Sequence, residues 1–174
     1  MSIWSEIGNY AAKLAAAANQ TVCVVIDGVR GAFTANAELR RKVAFSVAMI
    51  ALSAKMAKAD GVVTQDEIRA FHEIFSVPAN ERAHVARLYD LAKQDVAGFE
   101  SYSQHIAQLC GSGRADCAML EDILDGLFHI AKADGMLHER ERSFLHAVAE
   151  IFEISENHFE SILARHVDLG AADP

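Results

Sequence analysis

The chain has 174 residues, 52% of them hydrophobic, and a formal net charge of −8. This acidic balance argues against a nucleic-acid partner, because binding phosphates requires a clustered basic face and the only basic cluster is residues 40–42. Its three cysteines lack C-x-x-C spacing, which fits neither a disulfide framework nor a structural zinc site and predicts a cytoplasmic protein. The longest charge-free run in the body of the chain, residues 43–54, is shorter than the roughly 18 apolar residues that a membrane span needs, and no export signal is predicted.

Long runs rich in Ala, Leu, Ile, Met and Glu, with only two prolines, predict an all-α fold. The segment 56–67 recurs 74 residues later as 130–141, so the chain contains an internal duplication. We predict a duplicated helical bundle of about seven or eight helices, in which two pseudo-symmetric central helices pack together. The predicted units are an appendage (1–35), a duplicated domain (36–168, with repeats 36–98 and 116–166) and a tail (169–174).

Apolar residues at helical spacing predict a helix in the appendage, with Ile3, Trp4, Ile7, Tyr10 and Leu14 on its apolar face. Two interpretations remain open: a helix packed on the main domain, or an amphipathic helix that contacts a membrane surface or a partner. The polar face lacks the Lys and Arg enrichment of an interfacial helix, which favours packing on the domain.

The first repeat opens with a predicted long helix over residues 37–59, which must be central because it is apolar nearly all round. Gly61 is expected to end it in a left-handed conformation. Thr64 and Glu67 form a capping-box pattern that predicts the start of a second helix. Pro78, a residue favoured in the first helical turn, predicts the start of a third helix ending near Gly98.

A connecting helix is predicted over residues 99–109, and the second repeat begins with a central helix predicted over 116–133. Further along, Glu73 and Asn80 match Glu150 and Asn157 at an offset of 77 instead of 74. We therefore predict that the second copy has three additional residues in the helix after its turn.

Each repeat contains a K-A-D-G turn followed by an acid in the next helix, and these acids are Asp60, Glu67, Asp134 and Glu141. The spacing matches the second half of an EF-hand calcium loop, but the first and third ligand positions carry Met or Ile and Lys instead of carboxylates. Two interpretations follow. The four acids together bind a divalent cation if the fold brings the turns together, or each acid caps a helix, which stabilises a protein by about 0.5–2 kcal/mol per cap.

Catalytic signatures are absent from the sequence: it contains no nucleophile elbow, phosphate-binding loop, dinucleotide fingerprint or helical histidine pair. The acids Glu121, Asp122 and Asp125 are interpreted as a solvated helix face. We therefore predict a protein that is not an enzyme, and no cofactor other than the divalent cation considered above.

The K-A-D-G turns within a duplicated helical unit resemble the TerB-like domain, and residues 50–61, 92–99 and 121–131 resemble the N-terminal region of DjlA-type co-chaperones. In that family a J domain with a His-Pro-Asp tripeptide stimulates an Hsp70 chaperone. This sequence lacks the tripeptide, although residues 171–174 resemble the entry to a J domain, and the family's N-terminal transmembrane segment has no counterpart before Asp27. The resemblance implies a non-catalytic interaction or regulatory module that binds a protein partner or itself and reaches Hsp70 only through a J domain; the alternative is a metal-binding or metal-sensing domain related to stress and tellurite resistance.

Overall fold

The computed structural model describes residues 37–60, 65–74, 79, 82–94, 98–110 and 114–168. These residues form helices and no strand, which confirms the predicted all-α class. The predicted appendage (1–35) and tail (169–174) lie outside the described residues. The described helices are α1 (Ala37–Asp60), α2 (Gln65–Ile74), α3 (Arg82–Gln94), α4 (Phe99–Cys110), α5 (Arg114–Ala131), α6 (Glu139–Ile151) and α7 (Glu156–Asp168).

Helix α1 is the centre of the domain. Every residue from 46 to 57 is buried, including the polar Ser46, Ser53 and Lys55. The helix contacts α3, α4, α5 and α6, which explains why its sequence is apolar nearly all round. The ammonium of Lys55 lies 4.8 Å from the ring centroid of Tyr102 in α4, so an aromatic face meets this buried cation.

The second central helix, α5, packs against α1 as the duplication predicts. At this interface an added Cβ on Gly126 would lie 2.8 Å from the Cε atom of Met49 in α1 and 3.8 Å from Cδ1 of Ile74 in α2. Since Met49 is completely buried, its side-chain end occupies the space left by the missing side chain of Gly126. The helix after each turn packs on the central helix of the other repeat: α2 packs on α5, and α6 packs on α1.

Two predicted helix boundaries differ from the structure. Helix α3 begins at Arg82 and not near Pro78, because Ala79 lies in a turn. A proline's fixed φ suits a turn as well as a first helical turn, so it does not by itself mark a helix start. Helix α5 ends at Ala131, two residues before the predicted end, because the chain already turns at Lys132.

The residue offset between the two repeats is 74 at the start of the second helix and again at the start of the third. Helix α6 has 13 residues and α2 has 10, as predicted, but α3 and α7 both have 13 and begin at residues 82 and 156, which are again 74 apart. The longer helix of the second repeat is therefore followed by a connection shortened by the same amount. Residues 74 apart are equivalent on both sides of this change. The offset of 77 therefore relates Glu73 to Glu150 at the ends of α2 and α6, but it does not hold for Asn157, which lies in α7.

Candidate functional site

The second K-A-D-G turn ends α5 by its backbone geometry. The amide of Lys132 still donates to the Phe128 carbonyl (3.0 Å), and the amide of Gly135 donates to the Lys132 carbonyl (2.9 Å). Gly135 has a φ of 92°, in the left-handed region where a side chain would be strained. The glycine therefore provides the stop that the sequence predicted for this kind of turn.

Asp134 supports this turn with both carboxylate oxygens. Its Oδ1 accepts a hydrogen bond from the Met136 amide (3.0 Å), and its Oδ2 lies 3.5 Å from Nε2 of His138. The first contact is the local side-chain-to-backbone bond by which aspartate commonly fixes a turn. Because Asp134 is exposed, water also reaches this carboxylate.

Glu141 caps the start of α6. Its side chain is only 2% exposed, and its Oε2 accepts a hydrogen bond from the backbone amide of His138 (2.9 Å). The amide of His138 precedes the helix and has no partner within it, so the carboxylate satisfies a donor that the helix leaves open. This is the capping role considered in the sequence analysis, made by one oxygen of the carboxylate.

The equivalent acid in the first repeat, Glu67, is also buried (6% exposed) in the first turn of α2. Asp60 is the last residue of α1, but its side chain lies outside the described residues, as do residues 61–64, including Thr64, the predicted cap of α2. The two glutamates thus occupy matching buried positions at the starts of α2 and α6.

The lysine of the second turn has a structural partner that the sequence did not suggest. The Lys132 ammonium donates a hydrogen bond to the main-chain carbonyl of His166, close to the end of α7. The last carbonyls of a helix lack intrahelical donors and carry partial negative charge, so a lysine is well placed there. Through this contact the turn after α5 is attached to the C-terminal end of α7.

The second turn also faces the first repeat across a polar groove of about 430 Å³ between α2 and the end of α5. The α2 side carries Asp66 and Arg69, which form an ion pair (2.9 Å), and Glu73. Lys132 and Gly135 of the turn line the opposite side. The duplication therefore brings the turn of one repeat beside the helix that follows the turn of the other.

Metal binding by the four predicted acids stays a prediction. Among the described residues, no group of three or more His, Cys, Asp or Glu side chains is arranged to hold an ion. The prediction depends on Asp60, whose side chain is not among them. An EF-hand geometry is excluded for both turns, because Met56 and Ile130 at the first ligand position are buried in the apolar core.

Three histidine–carboxylate contacts attach α7 to the helices beneath it, and sequence reasoning missed them. Their nitrogen–oxygen distances are 2.8, 3.4 and 3.1 Å, for the pairs His146–Glu156, His158–Glu121 and His166–Asp125. The side chains of Glu121 and Asp125, interpreted as part of a solvated face, are 41% and 43% exposed and also pair with histidines of α7. The partners are 10 to 41 residues apart, so a pattern of local helical spacing could not reveal them.

The comparison with protein families agrees with this architecture. Residues 46–164 match the model of the tellurite resistance protein TerB, and the chain belongs to this TerB family. Over 136 residues it is 34% identical to the co-chaperone protein DjlA of Photobacterium profundum. The match covers 76% of this chain and 48% of that protein, so the chain spans about half the length of this relative. No solved structure shows a significant match.

Among the described helices, none combines the length and the apolar character of a membrane span.

Proposed function

We propose that this TerB domain is a non-catalytic interaction or regulatory module of a J-domain co-chaperone. The observation that carries the proposal is the 34% identity to a DjlA co-chaperone over most of the chain. The domain would bind a protein partner or a second copy of itself, and it would act on Hsp70 only through a J domain attached to it.

The proposal of a non-catalytic module is consistent with the structural roles of the acids and histidines in the second repeat. The acids of the second turn are used locally, Glu141 as a helix cap and Asp134 as a turn support. The histidines of α6 and α7 pair with carboxylates across the helix packing. These side chains already have structural roles, and no recognisable nucleophile–base arrangement accompanies them in the sequence.

The test is quantitative cross-linking and affinity capture with the full chain as bait. The control bait is a helical bundle matched in size and net charge. We expect at least one protein to bind saturably and reproducibly above the control, and titration calorimetry with the purified partner to confirm direct contact. A bait that enriches nothing beyond the control would contradict the proposal.

A second candidate function is divalent-cation binding or sensing at the paired turns, in connection with stress or tellurite resistance. It is motivated by the repeated acids, since Glu67 and Glu141 occupy equivalent buried positions at the starts of α2 and α6 and carboxylate oxygens are the ligands that calcium and magnesium take. A ligand present at 100 times its dissociation constant should stabilise the fold by about 2.7 kcal/mol. Thermal unfolding with calcium, magnesium, manganese or zinc measures this; no shift with any ion, or an unchanged shift in the Asp60→Asn, Asp134→Asn double variant, would remove the candidate.

A further inference from the structure

A groove of about 320 Å³ lies between α2 and α3, above the C-terminal half of α1. Its walls are largely apolar, with Ser53, Ile68, Phe71, Val85, Ala86 and Tyr89 among the lining residues. Its volume falls in the range of ordinary ligand pockets, which are mostly apolar with a few polar groups. We call it the α2–α3 groove.

In the second repeat, three side-chain contacts join α6 and α7 across the corresponding seam. His146 Nε2 lies 2.8 Å from Glu156 Oε2, and an Arg142 guanidinium nitrogen lies 3.4 Å from Glu160 Oε1. The Phe159 ring packs edge-on against His146, with 5.0 Å between ring centroids, and is 1% exposed. Two polar pairs and one aromatic ring therefore fasten α7 to α6.

The polar pairs are lost in the first repeat because the residue types differ. The counterparts of His146 and Glu156, 74 residues earlier, are His72 and Arg82, which cannot form an opposite-charge pair. The counterparts of Arg142 and Glu160 are Ile68 and Ala86, which have no polar side-chain atoms.

The first repeat also lacks the aromatic side chain that packs between the two helices in the second repeat. Val85 stands where the second repeat has Phe159, so the seam lacks an aromatic ring. The wall of the groove contains Ser53 in place of Leu127, and its buried hydroxyl has no hydrogen-bond partner among the described residues. Ile68 is 39% exposed and, with Met136, is one of the two large hydrophobic side chains that are exposed in the described part of the chain.

Charge distinguishes the two ends of the α2–α3 groove. Arg82 and His72 are both exposed, and they occupy the positions equivalent to Glu156 and His146 in the second repeat. Asp90 lies two helical turns further along α3, about 12 Å from Arg82, and Glu67 is buried at the start of α2. One end of the groove is therefore cationic and suited to a carboxylate.

We propose that the α2–α3 groove binds a peptide segment of a partner protein in which a bulky apolar side chain lies beside a carboxylate. The apolar side chain occupies the space that Phe159 fills in the second repeat. The carboxylate is received by Arg82 and His72, as Glu156 is received by His146. This inference rests on the proposed interaction function and specifies its site and the chemistry of the partner.

The first arm of the test selects a phage-displayed random peptide library on the intact chain. We expect the selected peptides to combine Phe, Leu, Ile or Met with a nearby Asp or Glu. Fluorescence anisotropy with the best selected peptide then gives its affinity for the variants below. Enrichment of basic peptides, or of peptides without an apolar residue, would overturn the proposal.

The second arm closes the groove with residues taken from the second repeat, in the variant Ile68→Arg, Val85→Phe, Ala86→Glu. Affinity for the selected peptide should fall at least about tenfold, a change of about 1.4 kcal/mol. Arg82→Glu, an exposed single change, should weaken the same peptide and favour its Lys-substituted form. Arg142→Ala at the other seam is the matched control and should bind as the wild type does, and circular dichroism and thermal unfolding check that each variant folds.

Unchanged peptide affinity in both the triple variant and Arg82→Glu would overturn the proposal. So would light scattering that shows a wild-type dimer dissociated by the triple variant, because the groove would then hold a second copy of the chain. If a captured partner binds the triple variant undiminished, the groove is the wrong site and the interaction function stands. If selected peptides bind in the groove but the chain captures no protein, the groove stands and the proposed function fails.

Discussion

Replacement of Glu141 decides between helix capping and metal ligation at the second turn. In the structure this buried carboxylate accepts one hydrogen bond from the amide of His138. Glu141→Ala removes that acceptor and a negative charge from the first turn of α6. Loss of a capping side chain costs about 0.5–2 kcal/mol, and the charge–dipole contribution within it is about 0.3–1 kcal/mol.

Glu141→Gln separates these two contributions, because the amide oxygen can still accept the hydrogen bond. We expect Glu141→Ala to lower the free energy of unfolding by about 1–2 kcal/mol and Glu141→Gln by about 0.3–1 kcal/mol. Glu139→Ala is the matched control, since Glu139 is an exposed acid in the same turn and its loss changes only the charge–dipole contribution. The assay is urea unfolding followed by circular dichroism, in EDTA and again with each divalent cation.

Two results would refute this reasoning. If Glu141→Ala is no more destabilising in EDTA than Glu139→Ala, the hydrogen bond to the His138 amide contributes nothing. If Glu141→Gln is as stable as the wild type in EDTA but loses a stabilisation that a cation gives the wild type, Glu141 is a metal ligand and the capping interpretation is wrong.

Three further changes test the packing around the turns by chemical denaturation. Lys132→Met should lower the free energy of unfolding by about 0.5–1.5 kcal/mol, because the last turn of α7 loses a charged donor to its carbonyl. Phe159→Ala should cost about 3–5 kcal/mol, since a ring that is 1% exposed leaves a cavity against Phe128, whose centroid is 5.4 Å away. Gly126→Val should cost about 1–3 kcal/mol, because its Cβ would lie 2.8 Å from Met49 Cε in a packed interface.

Each of these predictions has a result that contradicts it. Lys93→Met, an exposed lysine in the last turn of α3, is the control for Lys132→Met, and an equal loss in both would show that the α7 contact adds nothing. If Phe159→Ala lowers the free energy of unfolding no more than Val85→Ala does, the α2–α3 and α6–α7 seams are equally well packed. If Gly126→Val raises the free energy of unfolding, the Met49 side chain does not oppose a residue at this position, and the variant only removes the low helix propensity of glycine, which is up to about 1 kcal/mol.

The helices themselves followed from local sequence patterns. The apolar run in the first repeat predicted a buried central helix, and α1 is fully buried from residue 46 to 57. The repeated turn predicted a second central helix ending near Gly135, and α5 ends at Ala131. These features were accessible because periodicity and turn residues act within a few positions of the chain. Pro78 misled because its conformational preference is shared by turns and helix starts.

What the acids do was open in the sequence, because capping and metal binding require the same residue types at the same spacing. A hydrogen bond from the His138 amide shows that Glu141 caps α6, whereas the metal prediction for Asp60, Glu67, Asp134 and Glu141 stays a prediction. The partner of Lys132 could not be foreseen, since it is a carbonyl 34 residues away. Contacts of this length depend on how the helices pack and leave no local pattern.

The sequence by itself determined the all-α class and the positions of the turns, because helix and turn patterns depend on residues close together in the chain. It also showed the duplication, because the two copies can be compared residue by residue. Only the tertiary structure decided that the second helix of each repeat packs on the central helix of the other, and that side-chain pairs join α6 to α7 in the second repeat while a groove lies between α2 and α3 in the first. The physical reason is that a seam closes only if side chains from two helices are complementary in size and charge. His146 and Glu156 satisfy this condition, and their counterparts His72 and Arg82 do not.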